Sequence, residues 1–413
     1  AYKDDPAIVG VLLTNENDLS HHFGRRLADP GNPHHRGLLA ARAAPMAKTL
    51  GISTEELLSN PSHPGFALVL NQVEHEYNTA MRAHLAEIGF RGVVATTNLW
   101  GGGRLQNLPP LADGDLIDVH AYALPNALRT DPRRRGNFVS QIALGALVGR
   151  PVAISEWNHN EPLAEARYGA PLYLASIARL QGWDAPTLFG YSNRPLQRPG
   201  RPIPWSSFKD PAVMGLMPAA ALLFRQGQVK TAERLFVLEP TRAAILKGRL
   251  GRGRIPGLRS LVEQSRVAIR LPELPELPWS RPAPLPDGAT RVQDLGRSFL
   301  PAPAPKGEED PGPTFVRSDT GELRRDWKRP LFSVDAPRAQ VVTGRLGPGP
   351  VQLSRARFEV SAEHGTLALN SLDGAPLERS RRILLSAMAR ACPLHGSPAR
   401  YWTEPILGTV HVR

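Results

Sequence analysis

The sequence predicts an α/β fold of parallel strands followed by an antiparallel β region, and three observations carry that prediction. Short apolar runs recur through the first half, and each stops abruptly on polar residues. Buried parallel strands read this way where they leave the core. Between them lie segments with apolar residues at spacings of three and four, as crossover helices require. After a proline-dense stretch, short strand-like runs alternate with turn signals. Strand–helix alternation with chemistry-bearing residues at the strand ends specifies a (β/α)8 barrel, whose active site lies at that end. The alternative, an open doubly wound sheet, would usually carry a glycine-rich phosphate loop after an early strand, and none is present.

The first strand is Ala7 to Leu13, ending on Asn15-Glu16-Asn17. A loop-rich stretch to about His35 carries His21-His22 and His34-His35. Adjacent histidines beside Pro and Gly make a poor chelating geometry, so no metal site is expected there. Arg36 to Leu50 reads as a helix with Pro45 as a kink point, and Thr54 to Leu58 as a turn of helix capped by Ser53 or Thr54. Phe66 to Ile88 is the strongest helix, with Leu70, Val73, Tyr77, Met81, Leu85 and Ile88 on one face and Gly89 as its stop. Arg91 to Asn98 is the second strand, followed by the loop Leu99 to Gly103. Leu116 to Tyr122 is the third, with His120 and Tyr122 two apart on one face. Phe138 to Val148 is a helix, Pro151 to Glu156 the fourth strand, Tyr168 to Leu180 a helix, Pro186 to Ser192 the fifth strand, and Asp210 to Phe224 a helix. A closed barrel has eight strands. The chain is therefore expected to carry strands four to eight of a partial (β/α)8 TIM barrel over residues 1–228. Strands one to three would precede Ala1, leaving an unpaired edge on the first strand.

Residues 229–313 read as a connecting segment. Leu235 to Leu238 is strand-like and Leu258 to Ile269 helix-like, and Pro272 to Pro313 has linker composition, with parts able to drape over a surface. Residues 314–413 predict an antiparallel, β-sandwich-like domain from Leu331–Val334, Val351–Leu353, Leu367–Leu369, Arg382–Ala387 and Val410–Val412, with turns at Ser318–Leu323 and Leu372–Gly374.

The 413 residues, 41% of them hydrophobic, suit two or three domains. A net charge of +12 raises the question of nucleic acid, yet the densest basic clusters, Arg133-Arg134-Arg135 and Lys247 to Arg254, lack interleaved aromatics to stack bases. No nucleic-acid partner is expected, and the charge reads as dispersed surface arginine. Cys392 is the one cysteine, which excludes an intrachain disulfide and a cysteine metal cluster, and it reads as a core residue. No apolar run reaches the roughly 18 residues of a membrane-spanning helix, and the charged start Lys3-Asp4-Asp5 does not read as a signal peptide. The sequence points to no cofactor and no metal, and is silent on oligomeric state.

Glu16 and Glu156 each end a parallel strand, 140 residues apart, about three β/α units. Two carboxyl groups about 5–5.5 Å apart cleave glycosidic bonds with retention, one as acid/base and one as nucleophile. Asn15 is placed to bind a sugar hydroxyl, and Trp100 and Trp157 to stack on sugar faces. His120 and Tyr122 lie on the intervening strand, Tyr122 suited to donate to a carboxylate. Singly these are weak signals, since a glutamate after a strand is usually a solvated loop charge. Their order along successive strands is far more specific. Trp183, at a helix end, reads as packing, and His159 and Glu161 as loop residues facing water.

Residues 1–225 resemble the second half of a clan A glycoside hydrolase barrel of the cellulase-like family 5 type. The likeness rests on Tyr2–Pro6 leading into Leu13-Thr-Asn-Glu-Asn17, Glu76-Tyr77 with Met81, Thr96-Thr-Asn98, Asp118-Val-His-Ala-Tyr122 and Ile154-Ser-Glu-Trp157. The resemblance implies that Glu16 is the acid/base, Glu156 the nucleophile, and Asn98 a further substrate-binding residue. It implies a carbohydrate substrate joined by β-linkages. The tail, with Ser318–Leu323, Phe332–Asp335, Ala339-Gln340 and Ser371–Gly374, resembles the β-rich C-terminal domain of some such bacterial enzymes. The departure is the absent first half, so residues that the clan places on strands one to three have no counterpart.

Overall fold

The computed structural model describes residues 3–100, 103–122, 127–159, 167–192, 206–208, 210–247, 254–389, 391–393 and 410–412. The first apolar run forms β1 (Gly10–Leu12), which pairs in parallel with β2 (Val93–Ala95). Leu13 N–H to Ala95 O and Thr14 N–H to Thr96 O, both 3.0 Å, prolong the ladder toward the polar end. Past Thr96-Thr97 the same chain run continues as β3 (Asn98–Leu99) and pairs with β4 (Ile117–His120). Then come β5 (Val152–Trp157) and β6 (Ala185–Leu188), in the parallel order β3-β4-β5-β6. The five strand-like runs of the sequence are thus strands in one succession. Register shifts interrupt β4–β5 between Asp118 and His120, and β5–β6 between Ile154 and Trp157. Bulges of this kind re-aim side chains beside functional sites. At the opposite edge β1 pairs with β2 alone among the described residues, and Ile8 and Val9 are exposed.

The helices pack behind these strands. Pro64–Glu87 buries Phe66, Leu68, Val69 and Leu70, while Tyr77 and Ile88, expected on its inner face, are exposed. Pro33–Leu50 runs straight through Pro45 and begins early enough to make His34 and His35 helical, not loop, residues. The expected helix to Val148 stops at Ala143. Its continuation is captured instead by a later strand, with Ile269 N–H donating to Ala146 O and Val148 N–H to Ile269 O. The expected helix to Phe224 is split into Pro211–Met214 and Met217–Arg225.

The connecting segment is more ordered than its composition implied. Its expected helix is shorter, Pro256–Leu261, because Arg266–Ile269 pairs as a strand. In chain order β7 (Leu235–Leu238), β8 (Arg266–Ile269) and β9 (Thr290–Val292) form a parallel sheet with β7 in the middle. The proline-rich run lies against the body of the protein: Leu274 and Leu277 are buried, and Trp279 stacks on His75 at 4.0 Å. Arg133, in the densest basic cluster, is consumed by this packing. It pairs with Asp131 at 2.9 Å and with Asp310 at 2.7 Å, and its guanidinium lies over Trp327. In the other basic cluster, residues 248–253 lie outside the described residues.

The last part is a six-stranded antiparallel sheet. It contains β10 (Phe315–Arg317), β11 (Leu323–Asp326), β12 (Leu331–Ala336) and β13 (Ala339–Arg345). A small hairpin of β14 (Val351–Gln352) and β15 (Arg357–Phe358) follows, and β16 (His364–Ser371) and β17 (Ile383–Met388) complete the sheet. One layer is therefore a full sheet, and among the described residues the β14–β15 hairpin packs over Leu331, Val342 and Leu346, while Val410–Val412 pairs separately with Ala391–Pro393. The turns at 318–323 and 372–374 separate β10 from β11 and β16 from β17. β13 has no alternation in sequence because six of its seven residues are buried, as in a strand covered on both faces. Phe332 meets Tyr173 of the helix Ala170–Gln181 edge-on at 5.0 Å, and both residues belong to the core cluster that spans the parallel and antiparallel parts. No helix among the described residues is long and apolar enough to cross a membrane.

Candidate active site

The carboxyl ends of β1 through β5 converge on one cluster of polar side chains. Glu16 follows β1 with φ +51°, a left-handed conformation that is uncommon for a side chain of its kind. Asn98 at the start of β3 holds it there, its Oδ1 accepting the Glu16 backbone N–H at 2.8 Å. Thr97 Oγ1 accepts the next N–H, from Asn17, at 3.3 Å. A strained backbone persists only where its surroundings over-determine it, and such residues gather at functional sites.

His120 ends β4 and is buried, with Nδ1 2.6 Å from Glu16 Oε1 and 3.5 Å from Glu156 Oε2. Its Nε2 is 2.9 Å from Ser155 Oγ. Tyr122, two residues on, donates its hydroxyl to Glu156 Oε2 at 2.6 Å. One carboxylate oxygen of Glu16, one of Glu156 and a ring nitrogen of His120 lie within 4.8 Å of one another. Such closeness suits a metal ion as well as acid/base chemistry, but both ring nitrogens of His120 already have protein partners. The side chains of Glu16 and Glu156 remain 25% and 16% exposed, so both are open to a reactant.

Electrostatics follow from this packing. Burial disfavours a charged His120, yet the contacts with Asp118 and Glu16 and the charge of Glu156 outweigh it and raise the imidazole to about 9. Burial likewise opposes a charged Asp118, but the contact with His120 at 3.7 Å and the hydrogen bonds from Ser155 hold its carboxyl below the ordinary range. The Tyr122 hydroxyl is pushed far up, by burial first and then by Glu156, so it acts as a donor only. Behind the Glu16 loop lies a cavity of about 280 Å³ whose walls include Thr14, Asn17, Glu74, Tyr77 and Thr97. Glu74 is raised to about 8, chiefly by burial, with the Leu19 N–H opposing and the charges of Asp18 and Asp113 adding.

Of the residues singled out from the sequence, Glu16, Glu156, His120 and Tyr122 are brought together. Asn15 is exposed beside Glu16. Asn98 is wholly buried between Glu16 and Asp118, so it shapes the site from behind and offers no sugar contact. Trp157 is 3% exposed in the hydrophobic core and presents no face to a ligand. The register shift between Ile154 and Trp157 breaks simple alternation, so Ser155 and Glu156 both face His120 while Trp157 joins Ile154 in the core. Trp100 is half-buried, with His22 stacked on it at 3.9 Å. His22 also pairs with Asp18 at 2.9 Å, which accounts for one of the adjacent histidines. Trp183 is buried. His159, read as facing water, is buried instead. Arg167 donates to its carbonyl at 2.8 Å, and burial lowers its ring to about 3, with the Arg167 charge adding. Glu161 lies outside the described residues.

The residues the sequence reading missed are Asp118 and Ser155. Asp118 accepts from Asn98 Nδ2, from Ser155 Oγ at 2.5 Å and from the N–H groups of Ser155 and Val119. The available signal was an aspartate two positions before His120 and a serine just before Glu156, each polar where a buried strand should be apolar. Against known proteins the chain stands apart: no family model, no curated protein and no solved structure matches it.

Proposed function

We propose that the chain is a retaining glycoside hydrolase that cleaves β-glycosidic bonds of an oligo- or polysaccharide. The observation that carries this reading is the approach of Glu16 and Glu156 to within 4.8 Å, both partly open to solvent. Such an oxygen–oxygen approach favours the about 5–5.5 Å separation of retaining enzymes over the about 6.5–9.5 Å across which inverting enzymes seat a water. Three strand spacings part β1 from β5, about 14 Å in a flat sheet. Convergence of the two glutamates therefore favours strands curling toward one another, as in part of a (β/α)8 barrel. The antiparallel sheet then serves as an accessory domain packed on its flank.

In this reading a Glu156 oxygen forms a bond to the anomeric carbon as the bond to the leaving oxygen breaks, and Glu16 gives its proton to that oxygen. Tyr122 donates to Glu156 Oε2 and so holds the carboxylate in place for attack. In the second step Glu16 takes a proton from water, the hydroxide bonds to the anomeric carbon and Glu156 departs. A non-catalytic carbohydrate-binding protein is the rival reading. It calls for displayed aromatic faces, and the buried Trp157 and the His22-covered Trp100 disfavour it.

The test is a screen of aryl β-glycosides with the wild-type chain and with Glu16→Ala and Glu156→Ala. Turnover by the wild type and its loss in both variants are expected, with azide restoring Glu156→Ala and giving a glycosyl azide of inverted configuration. Undiminished turnover in either variant overturns the assignment, and sugar binding without any turnover favours the rival.

A further inference from the structure

We infer that Asp118 and Ser155 are positioning residues that fix which nitrogen of His120 carries a proton, so that one proton is stored in the contact between His120 Nδ1 and Glu16. The inference rests on the proposed acid/base role of Glu16, but the proton positions follow from the geometry of the side chains.

Asp118 is an acceptor on every side. Its two oxygens receive Asn98 Nδ2, Ser155 Oγ and two backbone N–H groups, so it carries no proton. Ser155 has a single hydroxyl hydrogen, and its Oγ is 2.5 Å from Asp118 Oδ2. Two bare oxygens would repel at that distance, so the hydrogen points to Asp118. The Ser155 oxygen then has only lone pairs to offer His120 Nε2 at 2.9 Å, and Nε2 must carry a hydrogen.

With Nε2 protonated, one further proton lies in the 2.6 Å contact between Nδ1 and Glu16 Oε1. It sits on Glu16 facing a neutral ring, or on Nδ1 facing a carboxylate. Removing it would leave a bare Nδ1 lone pair against the Glu16 anion, which is repulsive. Without the Asp118–Ser155 pair the ring could adopt the other neutral tautomer, with Nδ1–H donating to the Glu16 anion. That state is comfortable and has no proton to give a leaving group. The relay therefore holds the shared proton at His120 to higher pH. The charged and polar groups facing the ring agree: Glu16 from the loop after β1, Asp118 on its own strand at 3.7 Å, and Ser155 and Glu156 from β5. Three carboxylates surround it, and the raised imidazole reflects them.

The experiment compares the whole 413-residue chain with Ser155→Ala, Ser155→Thr and Asp118→Asn, by two readouts. One is the ¹⁵N resonance of the His120 ring nitrogens as a function of pH. The other is the pH profile of kcat/KM on whichever aryl β-glycoside is turned over. In wild type, Nε2 is expected to stay protonated across neutral pH. Asp118→Asn should reverse the relay, because the asparagine amide donates to Ser155 and turns its hydroxyl hydrogen onto Nε2. The basic limb of the profile should fall by about one pH unit or more in Ser155→Ala and Asp118→Asn, and Ser155→Thr, which keeps the hydroxyl, should restore it. A bare Nε2 in the wild-type ring overturns the inference, as does a basic limb in folded Ser155→Ala that coincides with wild type. If no glycoside is hydrolysed, the functional reading fails and the ring-nitrogen resonances of wild type still decide the relay.

Discussion

Two clusters in this protein have nearly the same composition and opposite character. In each, a tyrosine hydroxyl donates to a glutamate that also faces a cationic side chain. Under the antiparallel sheet, Tyr173 donates to Glu263 Oε1 at 2.5 Å, and Arg325 of β11 grips both oxygens of Glu263 at 2.6 and 2.5 Å. Arg325 also donates to the carbonyls of Leu128 and Thr130. Its side chain is 1% exposed and that of Glu263 5%. At the strand ends, Tyr122 donates to Glu156 and His120 stands at 3.5 Å, with Glu156 16% and Glu16 25% exposed. The first cluster is sealed and satisfied on every side, so its charges can only hold the parallel and antiparallel parts together. The second keeps two carboxylates accessible and places three around one ring. A tyrosine–glutamate–cation set is therefore no signal of chemistry in itself, and access with an excess of like charge is what separates a site from a clamp.

The contrast breaks most visibly on removing the two glutamates. Glu263→Ala strands a buried guanidinium and a buried phenol, a loss of about 3–5 kcal/mol for an opened buried pair. Glu156→Gln and Glu16→Gln relieve repulsion between neighbouring carboxylates but also remove an attraction to His120, so they should destabilise less than Glu263→Ala, while turnover falls by at least about 10³-fold. Urea unfolding of the three variants beside their activity on an aryl glycoside checks this, and equal destabilisation of all three would erase the distinction. The tyrosines sharpen it on a smaller scale. Tyr173→Phe should cost about 1–3 kcal/mol through an unsatisfied buried carboxylate. Tyr122→Phe should leave the unfolding midpoint nearly unchanged and lower kcat.

The sequence carried the open cluster better than the sealed one, for a physical reason. Glu16, His120, Tyr122 and Glu156 stand out because each puts polarity at the end of an apolar run, and strand ends are where a parallel sheet exposes function. Glu263 and Arg325 sit 62 positions apart in segments that look like ordinary surface until the fold buries both. Asp118 and Ser155 were hidden for a related reason, since their partners lie 20 and 37 positions away and only the folded sheet supplies them. Trp157 was misread because the irregularity after Ile154, which turns both Ser155 and Glu156 to the site and Trp157 to the core, cannot be read from Ser155-Glu156-Trp157. Composition gave the proline-rich segment as linker with parts draped over a surface, but could not say which parts. Leu274, Leu277 and Trp279 supply the burial that orders it.

A slope of stability against pH separates the clusters without any substrate. His120 is raised to about 9 in the fold against an ordinary 6.5. A group whose folded value is raised favours the fold fully below its unfolded value, and loses that contribution as pH climbs through the folded one. The open cluster should therefore lose stability between pH 6.5 and about 9. Glu74, raised from 4.5 to about 8, has the same sign in a lower window. Glu74→Gln should flatten the slope between about pH 4.5 and 8 and leave the upper part, which belongs to His120. The sealed cluster adds nothing there, because burial drives the Tyr173 hydroxyl far upward and the Glu263 charge adds to it, while Arg325 is held as a cation beyond the accessible range. Thermal unfolding of wild type and Glu74→Gln from pH 4 to 10 measures both windows. A flat profile above pH 8 in Glu74→Gln would mean that the three carboxylates do not charge the His120 ring, and the open cluster would then be as inert to protons as the clamp.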